Sequence, residues 1–282
     1  MENEKNVQAI ESDASEDLLI QEATLFDDWF FRRFMKDYPE GAELIIRICL
    51  NRDDLHVVEL RVQEPFDSVK PKGKEGILDV WAKDDDGRAY NIEVQYDSRG
   101  ASPKRAFYYL SLMTQYETDC GDEHNSRPDC YVIFITKTDY FGGNRPYYWV
   151  TGFRDDGKIA EIGAYIIYIN GAWKEDDKIG HLVRDMAQPD PQKMHYSVIA
   201  RRAGALKNPR KEEKSMSGSL AYLRDKWMDE GRNEGIYEHV NRVVSRLKIS
   251  LDEALDILGI SQEEYQKACD VVERLKQGQA SL

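Results

Sequence analysis

Two carboxylates, Asp79 and Glu93, lie inside the stretch GILDVWAKDDDGRAYNIEVQ, Gly76 to Gln95. Apolar and polar residues alternate on either side of an acidic turn, which is the pattern of a β-hairpin. Successive strand side chains point to opposite faces. Ile77, Asp79 and Trp81 therefore share one face of the first arm, and Asn91, Glu93 and Gln95 one face of the second. Two turns fit. A two-residue Asp86-Gly87 loop sets Asp79 opposite Val94 and sends Glu93 to the far face. A three-residue Asp85-Asp86-Gly87 loop puts Gly87 where a type I turn with a G1 bulge needs positive φ. It pairs Asp84 with Arg88 and Asp79 with Glu93. It also gathers Leu78, Val80, Ile92 and Val94 on the other face, so this register is the one expected.

Like charges set opposite one another destabilise a strand pair. A hard divalent cation such as Mg²⁺ or Mn²⁺, which takes carboxylate oxygens, waters and substrate phosphates, would turn that repulsion into a binding site. It could also activate water and stabilise charge on a scissile phosphate. Spacing alone leaves a second reading open, in which both acids lie on a solvent face and Arg61 or Lys74 neutralises them.

Elements around the hairpin must hold such a pair. LFDDWFFRRF carries Leu25, Phe26, Trp29, Phe30 and Phe34 near helical spacing, and YPEG breaks it at Tyr38 to Gly41. Ala42 to Leu50 reads as a second, apolar helix with Glu43 near its start. His56 to Gln63 reads as a strand. After the hairpin, Ser102 caps a helix with Pro103 at its first position and a stripe through Ala106, Leu110 and Met113. That helix carries Lys104 and Arg105. Tyr131 to Thr136 reads as a strand buried on both faces. Tyr147 to Phe153 and Ala164 to Asn170 read as two more, joined through RDDGK.

The chain turns helical from about Lys174. Ser250 with Glu253 forms a capping-box pattern, Gly259 ends that helix and Ser261 can start the next. The order predicts an α/β (α+β) fold, a mixed sheet flanked by helices with a small C-terminal helical unit. The expected division is an acidic disordered N-terminus at 1–22, a main domain at 23–200, a basic linker at 201–217 and a helical region at 218–282.

Composition narrows the function classes. The 282 residues are 41% hydrophobic and carry a formal net charge of −13, which argues against a broad basic coat for nucleic acid. A local basic cleft, or a metal bridging acid to phosphate, remains compatible with that charge. No apolar run is long enough to span a bilayer, and the polar start lacks a signal peptide's apolar core, so a cytoplasmic location and no membrane partner are expected. Four scattered cysteines suggest reduced thiols. Cys120, His124 and Cys130 match no common zinc spacing and read as a polar loop. No Gly-rich phosphate loop or nucleophilic triad is visible.

LDVWAKDDDGRAYNIEVQ, with KRAFYYLSLM downstream, resembles the PD-(D/E)XK nuclease superfamily. More narrowly it is similar to the Rpn-type recombination-promoting nucleases, also called PD-(D/E)XK nuclease family transposases. The matching residues are Leu78, Asp79, Val80, Gly87, Arg88, Asn91, Ile92, Glu93 and Gln95, then Arg105, Tyr108 and Tyr109. EGRNEG, Glu230 to Gly235, resembles the Glu-Gly repeats near the C-termini of such proteins. The resemblance implies a restriction-endonuclease-like sheet and a metal-dependent DNA endonuclease. Asp79, Glu93 and the Val94 backbone carbonyl would be metal ligands, and Glu43 could join them. Gln95 stands where the superfamily's name has Lys, and it can orient a water without supplying charge. Lys104 and Arg105 would contact DNA phosphates. The alternative is a nuclease-fold module that binds DNA or a protein partner without cutting. The C-terminal helices could support a homo-oligomer.

Overall fold

The computed structural model describes residues 18–66, 76–96, 98–118, 123, 126–208, 237, 240–241, 243–245, 247–258 and 260–279. Lys74, Cys120, His124, EGRNEG, Gly259, most of the acidic N-terminus and the linker beyond 208 lie outside these residues. The chain divides into two compact units, Thr24–Leu206 and a second made of Met1–Ala23 with Lys207–Leu282.

The larger unit opens with α1 (Asp28–Met35) and α2 (Pro39–Leu50). Residues 25–27, expected in the first helix, form the turn before it. Its aromatic spacing buries Phe30, Phe31 and Phe34. Pro39 starts α2 at a position where no backbone N–H is needed. Strands β1 (Val57–Phe66), β2 (Gly76–Asp84) and β3 (Ala89–Gln95) follow. A short 3-10 turn at Ser98–Ala101 leads into α3 (Pro103–Tyr116). Ser102 accepts the Arg105 N–H and Pro103 holds the first position, as expected. Then come β4 (Cys130–Thr136), β5 (Tyr147–Val150), β6 (Ala164–Asn170), α4 (Lys178–Ala187) and α5 (Ser197–Lys207). Residues 201–207, expected to begin a basic linker, are helical to Lys207.

The six strands form one mixed sheet in the order β1-β2-β3-β4-β6-β5. β3, β4 and β6 run parallel, and the remaining neighbours are antiparallel. Helix α3 is the crossover between β3 and β4, a connection that parallel neighbours require. It packs Ala106, Tyr109, Leu110 and Met113 against Trp81, Ala89, Val132, Phe134 and Tyr168 on one face. Ile92, Val94, Ile133, Ile135, Ile167 and Ile169 alternate with these and are also buried. Helix α1 approaches β1, β2 and β3. Covered on both faces, the parallel strands read as the continuous apolar runs seen in the sequence.

The β2–β3 turn has the predicted register. Val80 pairs with Ile92, Trp81 with Asn91, Ala82 with Tyr90 and Lys83 with Ala89. Asp84 N–H donates to the Arg88 carbonyl at 3.0 Å, and Gly87 N–H donates to the Asp84 carbonyl at 3.0 Å. Gly87 has φ 81°, the left-handed value that its place in the turn demands. No atom lies within 4 Å of an added Cβ there, so only backbone strain opposes a side chain. Gly87→Ala is expected to lower stability by about 1 kcal/mol, read by urea denaturation; no loss would count against this turn geometry.

In the smaller unit, a short helix at 18–22 contributes Leu19 to a core with Val240, Val243, Leu255, Leu258 and Ala268. Lys207 Nζ donates to the carbonyls of Gln21 and Ala23 at 2.6 and 2.7 Å. Residues 18–22, expected within a disordered terminus, are therefore an ordered part of this unit. Helices α6 (Leu251–Leu258) and α7 (Gln262–Gln279) each begin with a reciprocal capping box. Ser250 N–H donates to Glu253 at 2.8 Å, and Glu253 N–H to Ser250 Oγ at 3.2 Å. Ser261 and Glu264 repeat the arrangement. No helix among the described residues is long and apolar enough to cross a membrane.

Candidate active site

The hairpin is closed at its turn and open at its other end. Val80↔Ile92 is the last β2–β3 pair, and the same register carried one step further sets Asp79 against Glu93. In a regular ladder the even-numbered residues of β2 face β3, as Asp84 does, and the Asp79 N–H would turn towards β1. It instead donates to Glu93 Oε1 at 3.2 Å. Across β1, Gln63 has φ 60°, a strained value for a non-glycine residue. The alternation of β2 slips at this point. Leu78, expected on the Val80 face, packs with Trp81 and Met113 on the α3 side. A side-chain carboxylate replaces a strand partner here, and the two acids meet at the mouth of the separating strands.

Their surroundings are dry. Asp79 is 5% exposed and Glu93 is 0% exposed, which excludes the solvent-face reading. Burial raises the Asp79 carboxyl above its usual range; Arg32 opposes this and Asp28 adds to it. Burial, then repulsion from Asp79, raises the Glu93 carboxyl well above its usual range. Such a pair attracts either a proton or a cation.

Two arginines supply charge, and neither is Arg61. Arg61 Nε binds Glu59 at 2.9 Å, and its guanidinium lies 4.9 Å from the Trp81 ring centroid. Arg32 of α1 donates from Nη2 to Asp79 Oδ1 at 2.9 Å and reaches Asp28 at 2.7 Å. Arg105 of α3 lies 3.5 Å from Glu93 Oε2 through Nη2. Its other nitrogens are better held, Nε by the Tyr109 hydroxyl at 2.9 Å and Nη1 by the Gly100 carbonyl at 3.1 Å. Burial works to lower the Arg105 pKa, and Glu93 and Tyr109 outweigh it. Asn91 Nδ2 donates to Glu93 Oε1 at 3.1 Å. Asn91 Oδ1 is buried and finds no hydrogen-bond partner among the described residues.

Val94 and Gln95 extend the site. Odd-numbered residues of β3 turn their backbone groups to β4, as the Gln95 carbonyl does in accepting the Lys137 N–H at 3.0 Å. Val94 therefore turns its carbonyl towards β2, beyond the last pair of that ladder. The Gln95 side chain packs on the Ser98–Ala101 turn so closely that a Cβ at Gly100 would collide with Gln95 Oε1. Gly100 is thus the residue that lets Gln95 and Arg105 share one turn.

Two expected participants are elsewhere. Glu43 accepts the Val57 N–H at 2.9 Å and pairs with Arg47 at 2.9 Å. Val57 pairs with Asp84, five residues along β2 from Asp79 and about 17 Å away at strand spacing. Glu43 therefore braces the closed end of the hairpin and does not join the pair. Lys104 is exposed on the first turn of α3, beside Arg105 but outside the acid cluster. The turn acids Asp84, Asp85 and Asp86 offer ligand atoms within 4.8 Å of one another and could hold a cation. Asp84, however, is taken by the Arg88 N–H at 2.7 Å and the Tyr90 hydroxyl at 2.6 Å, and Arg88 also binds Asp86. Arg32 and Gly100 were not singled out by spacing, and Asn91 was placed on the Glu93 face without a role of its own. The only sequence signal for Arg32 is its place in the RRF of the aromatic helix.

Residues 25–149 match the family model described as PD-(D/E)XK nuclease family transposase. This segment is similar to a PD-(D/E)XK nuclease family transposase domain. It contains the acid pair, the hairpin and α3, and it ends in β5, so β6 completes the sheet from outside the matched residues. The mixed sheet with flanking helices is the restriction-endonuclease-like fold of that family. No curated protein and no solved structure matches the chain significantly.

Members of the PD-(D/E)XK nuclease family usually use divalent metals. The residues of this domain fit one. They offer two buried carboxylates with raised pKa, the Val94 carbonyl and an orphaned Asn91 oxygen beside them, all hard oxygen donors.

Proposed function

We propose that the chain is a Mg²⁺-dependent DNA endonuclease of the recombination-promoting nuclease/transposase type. The observation that carries this reading is the meeting of Asp79 and Glu93, buried, at the open end of the hairpin inside a nuclease-like domain. Mn²⁺ could replace Mg²⁺, since both accept oxygen donors.

Asp79, Glu93 and the Val94 carbonyl would hold the cation. When bound, it supplies Lewis acidity to the phosphodiester and lowers the pKa of water. Hydrolysis forms one bond from water oxygen to phosphorus and breaks one between phosphorus and a sugar oxygen, which leaves with a proton. Gln95 can orient that water and cannot take its proton. Lys104, exposed at the start of α3, would meet a DNA phosphate, and Arg105 would face the phosphate nearest the acids. Buried walls around the pair keep the field strong there. The C-terminal unit could support self-association.

The test is plasmid nicking with Mg²⁺, comparing the full chain with Asp79→Ala and Glu93→Ala. Mg²⁺-dependent nicking lost in both variants is expected. Nicking that survives both substitutions would remove these acids from the site. A chain that binds DNA but fails to cut it whichever metal is added would be a binding module built on the nuclease fold.

A further inference from the structure

We infer that Arg105 is a catalytic residue that supplies the positive charge missing at Gln95, exchanging Glu93 for the scissile phosphate as metal and DNA enter. This rests on the nuclease reading above and adds a role for one side chain.

Position 95 carries an uncharged amide turned onto Gly100. The carbonyl of that same Gly100 accepts from Arg105 Nη1 at 3.1 Å. The neutral residue thus packs on the turn that orients the cation. Tyr109 completes the cradle with its hydroxyl on Nε at 2.9 Å. Both of these acceptors are uncharged, so they hold the guanidinium in the site whatever the charge on Glu93. The Nη2 edge is the loose one. At 3.5 Å from Glu93 Oε2 it is well beyond the 2.7–2.9 Å of a firm charge-assisted bond. The Arg105 side chain is 31% exposed, so a ligand can reach part of it.

Charge bookkeeping points the same way. Asp28, Asp79 and Glu93 face Arg32 and Arg105, so a divalent cation adds two positive charges to a cluster with one negative charge in excess. An entering phosphodiester offsets one of them. The guanidinium that a metal repels from Glu93 has a new partner in the phosphate oxygens, and its planar fork suits them. Charge that builds on those oxygens as the phosphorus bond breaks is then met by a cation held in advance.

The experiment pairs a binding measurement without DNA with a cleavage assay, both on the full chain. Mn²⁺ titrated by calorimetry should bind Arg105→Gln about fivefold or more tightly than wild type, because Glu93 has lost its competing partner. The same variant should nick plasmid about a hundredfold more slowly. Arg105→Lys should retain more cleavage than Arg105→Gln, and Gln95→Lys added to Arg105→Gln should recover part of it. Arg105→Gln that cuts like wild type, or that loses Mn²⁺ binding along with its fold, overturns the inference and leaves the nuclease reading standing. Wild type that neither binds Mn²⁺ nor cuts overturns both.

Discussion

Glu93→Gln is expected to abolish Mg²⁺-dependent cleavage and, in the metal-free protein at neutral pH, to raise thermal stability. The opposition follows from the electrostatics of the pair. Burial and Asp79 raise the folded-state pKa of Glu93, so the folded chain holds this proton to a higher pH than the unfolded chain does. The sign is then fixed. The contribution of Glu93 to stability is fully present below its unfolded value, about 4.3. It falls as pH rises from there through the folded value, where the unfolded state binds fewer protons. Gln has no such titration. It can still accept from Asn91 Nδ2 and the Asp79 N–H, which now use Glu93 Oε1. Melting points of the two proteins should therefore converge near pH 4 and separate towards neutral, by about 2–4 °C for each kcal/mol relieved. Added Mg²⁺ should raise the wild-type midpoint and leave the variant's unchanged. Cleavage should fall by more than about a hundredfold, since even indirect supports of a metal ligand cost up to about that much. A variant less stable than wild type at neutral pH would contradict the charge argument.

Arg32→Ala should be the most damaging single change to stability near the site, at about 3 kcal/mol. Arg32 is 14% exposed at its side chain and binds Asp79 and Asp28 from one nitrogen. Its removal leaves a buried carboxylate against a second one. The loss should be large at pH 8 and shrink towards pH 4, where Asp79 can be neutral in both folded and unfolded states. Arg32→Ala with Asp79→Asn should recover most of it, because the unpaired charge is gone. Denaturant titrations of the four proteins at two pH values make this cycle. An equal loss at both pH values, with no recovery in the double variant, would mean that Arg32 acts by packing alone.

Much of the framework was legible locally. Gly87 identified the three-residue turn because few residues accept its φ, and the turn set the register. Ser102-Pro103 and the Ser250-Glu253 box marked helix starts through side chains within three residues of the backbone they cap. The unread parts depend on distant neighbours. Arg32 reaches Asp79 across 47 positions, and nothing in DDWFFRRF separates it from Arg33. The slip that moves Leu78 to the α3 face answers a kink at Gln63 on another strand. Glu43 looked free to join the acids because its partners, Val57 and His56, come later in the chain.

Asp84 has a consequence beyond its place in an acidic turn. Its buried carboxylate ties Arg88 and Tyr90 together, fixing which residues of the two arms face each other. The tip at 85–87 is exposed or half-exposed, and with that clasp closed beneath it Asp85 can change in sequence while Glu93 stays in step with Asp79. An acid at the shut end of the hairpin thereby keeps the phase of the two acids at the open end, where the chemistry would be done.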